Sequence, residues 1–188
     1  MIKEKEYTNI TDAVNDYIKS VKNNFKTNIN IDTRIINSEN DISVDYINLS
    51  QGIIYNRAKT LFNKINKKII RNNKQDIYVT NSDIKESIAK TLKNSEQKVL
   101  LNENIAVFSK LDKIIEYGKK IANAPELKNR SKYSNWEYYA TLVIIDGIKY
   151  IVEFDTVTDK SDNKRHFRLA RIYNFNNEKN GYSDRFSN

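Results

Sequence analysis

The chain has 188 residues, no cysteine and a single histidine, and its formal net charge is +8. This length suits one domain, or a short helical module followed by one domain. The absence of cysteine excludes disulfides and thiolate sites, and a single histidine excludes a multi-histidine metal centre. No apolar run approaches the roughly 18 to 20 residues of a membrane helix. We therefore expect no membrane contact and no cofactor.

Residues 1–75 are predicted to form a helical, basic module. Apolar side chains recur at spacings of three and four residues over 11–26, which is typical of an amphipathic helix. A second helix is expected to begin at Ser50 and to run to about Ile70, with an apolar stripe and a basic stripe on separate faces. The polar segment 72–75 is the predicted boundary of the module.

The excess positive charge is concentrated in this module. Between Tyr46 and Gln75 there are seven basic residues and no acidic residue, whereas the remainder of the chain has 25 basic and 24 acidic residues. Such a field favours polyanions, because basic side chains neutralise phosphates and release their counterions. The alternative is a solvated helix face that only aids solubility. The candidate nucleic-acid contacts here are Arg57, Lys64, Lys68 and Arg71.

Residues 76–176 are predicted to form an α+β domain, followed by a polar tail at 177–188. A short strand at 76–80, which could extend a sheet edge, precedes a helix capped by Asn81 or Ser82. A polar break is expected at 94–102. A longer helix is then expected from Ile105 to about Ala122, with Pro125 ending it.

The pattern changes to a period of two near Trp136, which predicts strands. Three strands are expected, at 136–145, 148–158 and 165–175. Asp146-Gly147 is a strong hairpin signal between the first two strands. The predicted fold class is therefore α+β, with N-terminal helices followed by an antiparallel meander sheet of three or four strands that helices cover on one face.

The stretch from Asp76 to about Tyr173 resembles the phage-associated members of the barnase/EndoU/colicin/RelE-like nuclease superfamily. The resemblance lies in the segments 77–88, 111–115, 136–140, 145–152 and 165–169. It implies a metal-independent ribonuclease-like effector of a phage or toxin system, acting on RNA in the cytoplasm of a bacterium or a phage-infected host cell. A neutralising immunity protein or a host protein is an implied partner. Lys90 falls where related domains often carry a histidine, and it is a candidate phosphate ligand.

Four residues of the predicted sheet are candidates for catalysis. A metal-free ribonuclease needs proton acceptors and donors, with cations beside the developing phosphorane charge. His166 suits the proton role, and Arg168 is expected on the same strand face, with Arg171 on the opposite face beside Arg165. The remaining catalytic candidates are Tyr138, which could donate a proton or stack on a base, and Glu153, a possible general base. Lys132, in the preceding loop, is a further candidate phosphate contact.

Two other functions stay open. The first is a non-catalytic protein, either a phage-encoded inhibitor or a nucleic-acid-binding protein, that keeps the nuclease-like fold without a complete acid–base pair. The second is a phage head-associated structural protein whose basic helix meets packaged DNA or a partner subunit. An endoribonuclease activity is thus one of three hypotheses that the sequence supports.

Overall fold

The structure, a computed structural model, describes residues 10–36, 46–123 and 132–176. Within these ranges the chain is a mixed α/β structure. Its helices are α1 (Ile10–Val21), α2 (Gln51–Ile65), α3 (Asn81–Lys93), α4 (Ser95–Val99), α5 (Leu101–Ala106) and α6 (Leu111–Tyr117). Its strands are β1 (Asn30–Ile31), β2 (Ile69–Asn72), β3 (Gln75–Tyr78), β4 (Lys119–Asn123), β5 (Tyr133–Ile145), β6 (Ile148–Asp159) and β7 (Lys164–Asn174). Short 3-10 turns lie at Thr33–Ile36, Tyr46–Asn48 and Val107–Lys110.

One mixed sheet contains all seven described strands, in the order β1-β5-β6-β7-β3-β2, and β4 also pairs with β5. The three predicted strands are present as β5, β6 and β7, and Asp146 and Gly147 have the positive φ angles (49° and 79°) of the predicted hairpin turn. The sheet has more strands than the three or four predicted, because β1 and β3 add parallel pairings and β4 and β2 add antiparallel ones. The predicted strand at 76–80 is an inner strand between β7 and β2, not an edge.

Helices pack on both faces of the sheet, whereas one covered face was predicted. The larger core contains side chains of α2, α3, α5 and α6 together with Tyr139, Phe154 and Phe167 from the central strands. On the opposite face, Val14 of α1 packs with Ala140 and other apolar residues of the central strands. Alternation along β5 supplies both cores, because successive side chains of a strand point to opposite faces.

The second helix ends five residues earlier than predicted. Asn66 follows α2 with φ of 54°, in the left-handed region, and its N–H donates to the Asn63 carbonyl. A left-handed residue ends a helix and turns the chain. Residues 69 and 70, expected to complete the helix, instead begin β2 (Ile69–Asn72), with Ile70 buried against the larger core. The hairpin of β2 and β3 turns at residues 73 and 74, within the predicted boundary segment 72–75, and residues on both sides of that segment share the larger core.

The predictions for 80–123 were also partly wrong. Thr80, not Asn81 or Ser82, caps α3, in a reciprocal capping box with Asp83. The expected break at 94–102 contains α4 and the start of α5, because the Asn94 side chain accepts from the backbone N–H groups of Glu96 and Gln97 and so begins a helix. The expected helix 105–122 is divided into the end of α5, a 3-10 turn and α6, and after α6 ends at Tyr117 the chain continues as β4. Pro125 and the tail 177–188 lie outside the described residues, and none of the described helices has the length and apolar character of a membrane span.

Candidate nucleic-acid interface

His166 lies near the beginning of β7, beside the β6–β7 turn. Its Nε2 is 3.3 Å from Oδ2 of Asp162 in that turn. The centre of its ring is 5.9 Å from that of Tyr78 on the neighbouring strand β3. Nζ of Lys164 lies 4.9 Å from the centre of the same tyrosine ring. This end of the sheet therefore places a partly exposed imidazole beside a carboxylate, an aromatic ring and a lysine.

The guanidinium of Arg168 is held by two acidic residues of α3. Its Nη1 contacts Glu86 and lies 3.7 Å from Oδ1 of Asp83, and its central carbon is 4.3 Å from the centre of the Tyr133 ring. Burial raises the pKa of Asp83, and hydrogen bonds from the Thr80 cap and the charge of Arg168 offset that rise in part. Lys90 joins the same group, 3.0 Å from Glu86. Arg168 and Lys90 therefore have their charges largely compensated.

Glu153 is fully buried on β6 and lies far from His166. Its cross-strand partner is Arg171, whose Nη1 is 3.6 Å from Oε2 of Glu153. His166 pairs instead with Val157, four residues further along β6, and four extended residues span about 13 Å. Burial, reinforced by the neighbouring Asp155, raises the pKa of Glu153 well above its ordinary value. Glu153 and His166 therefore do not form an acid–base pair in this structure.

A β-bulge explains the position of Arg171. The pairs Phe154–Ala170 and Thr156–Phe167 flank a register shift in which two residues of β7 oppose the single residue Asp155. A bulge of this kind reverses which residues face each side of the sheet beyond it. The expectation that Arg171 shares the face of Arg165 was therefore wrong.

Tyr138 and Lys132 lie on and just before β5. Tyr138 is half-buried opposite Asp155. Nζ of Lys132 is 3.5 Å from Oδ2 of Asp159 and 5.2 Å from the centre of the Tyr133 ring. The structure thus brings Lys132 and Arg168 to one aromatic ring, Tyr133, which the sequence analysis did not select.

The basic residues predicted on one helix face are distributed over three local structures. Nε of Arg57, in α2, donates to the Ile36 carbonyl at 2.6 Å. Arg71, in β2, lies 3.5 Å from Asp76. Lys64 at the end of α2 and Lys68 before β2 are exposed, and neither pairs with a carboxylate of the described residues. Of the four predicted contacts in this module, these two lysines have the most available charge.

A larger basic surface begins at Lys64. A hollow of about 300 Å³ is lined by Lys64, Lys110 and Lys113, with Asp112 as its acidic member. Nζ of Lys113 is 2.7 Å from Glu116 and 5.7 Å from the centre of the Tyr117 ring. The hollow therefore leads to Tyr117, at the end of α6.

Tyr117 lies at the edge of a groove of about 830 Å³ between the end of α1, the segment 24–29 and the start of β4. Three lysines line the groove, Lys26, Lys119 and Lys120, and none of its described lining residues is acidic. Nζ of Lys120 is 3.0 Å from Oε1 of Glu137. Burial tends to raise the pKa of Glu137, but hydrogen bonds from Tyr139 and Lys120 lower it below its ordinary value.

We define the basic surface as Lys64, Lys110, Lys113, Tyr117, Lys119 and Lys26, in which Glu116 compensates the charge of Lys113. Sequence reasoning missed its second half, because residues 105–122 were interpreted as one helix and Lys26 as the end of another. The available signal was the sequence Tyr117-Gly118-Lys119-Lys120, in which a glycine separates an aromatic residue from two lysines.

The chain matches no protein-family model, and no curated protein or solved structure shows a significant match to it.

Proposed function

We propose that the protein is a non-catalytic nucleic-acid-binding protein. The observation that carries this proposal is the basic surface, which runs from the hollow at Lys64 past Tyr117 into the groove at Lys26 and Lys119. Clustered lysines bind phosphates and release counterions, and an aromatic side chain among them is typical of surfaces that bind single strands. The resemblance to a nuclease superfamily is compatible with this function, since binding does not require an acid–base pair.

Affinity for a fluorescein-labelled RNA, measured against salt concentration, tests this function. We expect log K to fall linearly with log [salt], by about 0.7 per phosphate contact for a single strand. The double variant Lys64→Gln/Lys110→Gln removes two charges from one end of the surface and should reduce the slope by up to about 1.4.

The matched control is Lys98→Gln/Lys160→Gln, which makes the same change in net charge at exposed positions outside the basic surface. Its slope should equal that of the parent. Binding that does not depend on salt, or an equal loss in both double variants, would refute an interface located at the basic surface.

A metal-independent ribonuclease is the second candidate, and the contact between His166 and Asp162 favours it. A carboxylate beside an imidazole can orient it for proton transfer. Against it stand the compensated charge of Arg168 and the burial of Glu153. Incubation with total RNA in EDTA separates the two candidates. Cleavage by the parent that is lost in His166→Ala would overturn the non-catalytic proposal, whereas we expect neither protein to cleave.

A further inference from the structure

The groove beside Tyr117 has an ordered lining and the volume of a ligand-binding site. Its floor includes Thr141 and Leu142 of β5, and the segment after α1 forms one wall. The Thr27 hydroxyl donates to the Leu142 carbonyl at 2.6 Å and accepts from the Ile29 N–H at 3.1 Å, which anchors that wall. The volume of about 830 Å³ lies within the range of roughly 300–1,000 Å³ that ligand sites occupy.

Two lysines at the groove have charge available for a ligand. Lys26 on one wall and Lys119 on the other are exposed, and no carboxylate of the described residues pairs with either. Lys120, in contrast, is bonded to Glu137, which also binds the guanidinium of Arg165. The groove is therefore positive, with available cations from two segments of its lining, the one after α1 and the start of β4.

Tyr117 is an exposed aromatic residue on a backbone turn that side-chain hydrogen bonds hold in place. Its side chain is 58% exposed, the most exposed aromatic side chain of the described residues. The turn that carries it is fixed, because the buried amide of Asn72 donates to the Ile115 carbonyl at 2.6 Å and to the Gly118 carbonyl at 2.8 Å. Because the backbone of this turn is already ordered, a base that stacks on Tyr117 orders only its side chain, which limits the conformational entropy lost on binding.

We propose that this groove binds single-stranded nucleic acid, with a base stacked on Tyr117 and neighbouring phosphates at Lys26 and Lys119. The assignment rests on the nucleic-acid-binding function proposed above and specifies its ligand. A duplex keeps its base faces stacked inside the helix, whereas a single strand presents them to aromatic side chains. Phosphate contacts alone would not distinguish the two ligands, so the tyrosine is the element that selects the single strand.

The test compares Kd values for a labelled eight-nucleotide RNA, the DNA strand of the same sequence and the RNA duplex, by fluorescence anisotropy at one salt concentration. We expect the parent to bind the single strands more tightly than the duplex, and the comparison of RNA with DNA identifies which strand is preferred. Tyr117→Ala should raise Kd for the single strands roughly 5- to 150-fold, the range for loss of one base–aromatic stack. Tyr117→Phe keeps the ring and should bind like the parent.

The double variant Lys26→Gln/Lys119→Gln tests the phosphate contacts. It should reduce the slope of log K against log [salt] for single strands by about 1.4. Thermal melting controls for folding, and Tyr117→Ala should melt close to the parent because the ring is mostly exposed. If the parent binds none of the three probes, the proposed function itself fails. If the parent binds but prefers the duplex, or if Tyr117→Ala binds as tightly as Tyr117→Phe, only the assignment to this groove is overturned.

Discussion

Asn72 joins β2 to the end of α6, and its replacement by alanine should be strongly destabilising. Asn72 is 4% exposed, and its side-chain amide donates to the carbonyls of Ile115 and Gly118. The last carbonyls of a helix have no partner within the helix. The Ile115 carbonyl keeps its hydrogen bond from the Gly118 N–H, so the loss there is about 1 kcal/mol, whereas the buried Gly118 carbonyl is left without this donor, at a cost of about 1–3 kcal/mol. We therefore expect Asn72→Ala to lower the free energy of unfolding by about 2–4 kcal/mol.

Urea denaturation followed by circular dichroism measures this change. With an m value of about 2 kcal/mol/M, the expected loss corresponds to a midpoint lower by about 1–2 M at unchanged m. The control is Asn66→Gly, because Asn66 has an exposed side chain and φ of 54°, a conformation that glycine adopts without strain. A loss below about 0.5 kcal/mol in Asn72→Ala would refute the role assigned to this amide.

Three further substitutions test the core around the sheet. Gly118→Ala places a Cβ 2.7 Å from the buried ring of Phe154 and should cost about 1–3 kcal/mol by thermal melting; a neutral change would mean that the ring moves freely. Gln97→Ala removes the amide that pairs at 2.8 Å with both the N–H and the carbonyl of Ile172, and should speed hydrogen exchange of that N–H. Burial raises the pKa of Glu153, so the folded state holds this proton more tightly than the unfolded chain, and stability of the parent should fall as the pH rises above about 4.5. Glu153→Gln should flatten that fall in urea midpoints between pH 5 and 8, and an unchanged pH profile would contradict a protonated carboxyl.

The longest strands were predictable from the sequence because the patterns that indicate them lie within the strands and the turn between them. Alternation of apolar side chains over 136–145 and the Asp146-Gly147 turn define β5, β6 and their hairpin without reference to the rest of the chain. The presence of α3 was predictable for the same reason, since Ile84 and Ile88 lie one turn apart on its buried face. The N-cap of α3 was predicted one or two residues too late, because Thr80, Asn81 and Ser82 are all residue types that cap helices.

The short strands could not be predicted, because their partners lie elsewhere in the chain. β2 and β4 have four and five residues, and their apolar spacing fits a helix as well as a strand. Pairing of β2 with β3 and of β4 with β5 decides between the two conformations. Similarly, the bulge opposite Asp155 depends on the pairing of β6 with β7, and it alone determines that Arg171 lies beside Glu153.

The candidate site shows the same division. Composition determined that the chain is basic, and the order of its residues determined that the charge excess lies between Tyr46 and Gln75. Only the tertiary structure decided which cations remain available, because ion pairs such as that of Arg168 with Glu86 join residues far apart in the chain. The groove likewise exists only after folding, which brings Lys26, in the segment after α1, and Lys119, in β4, to one site. Net charge is a sum over residues, whereas a binding site depends on which charges the packing of distant segments leaves exposed together.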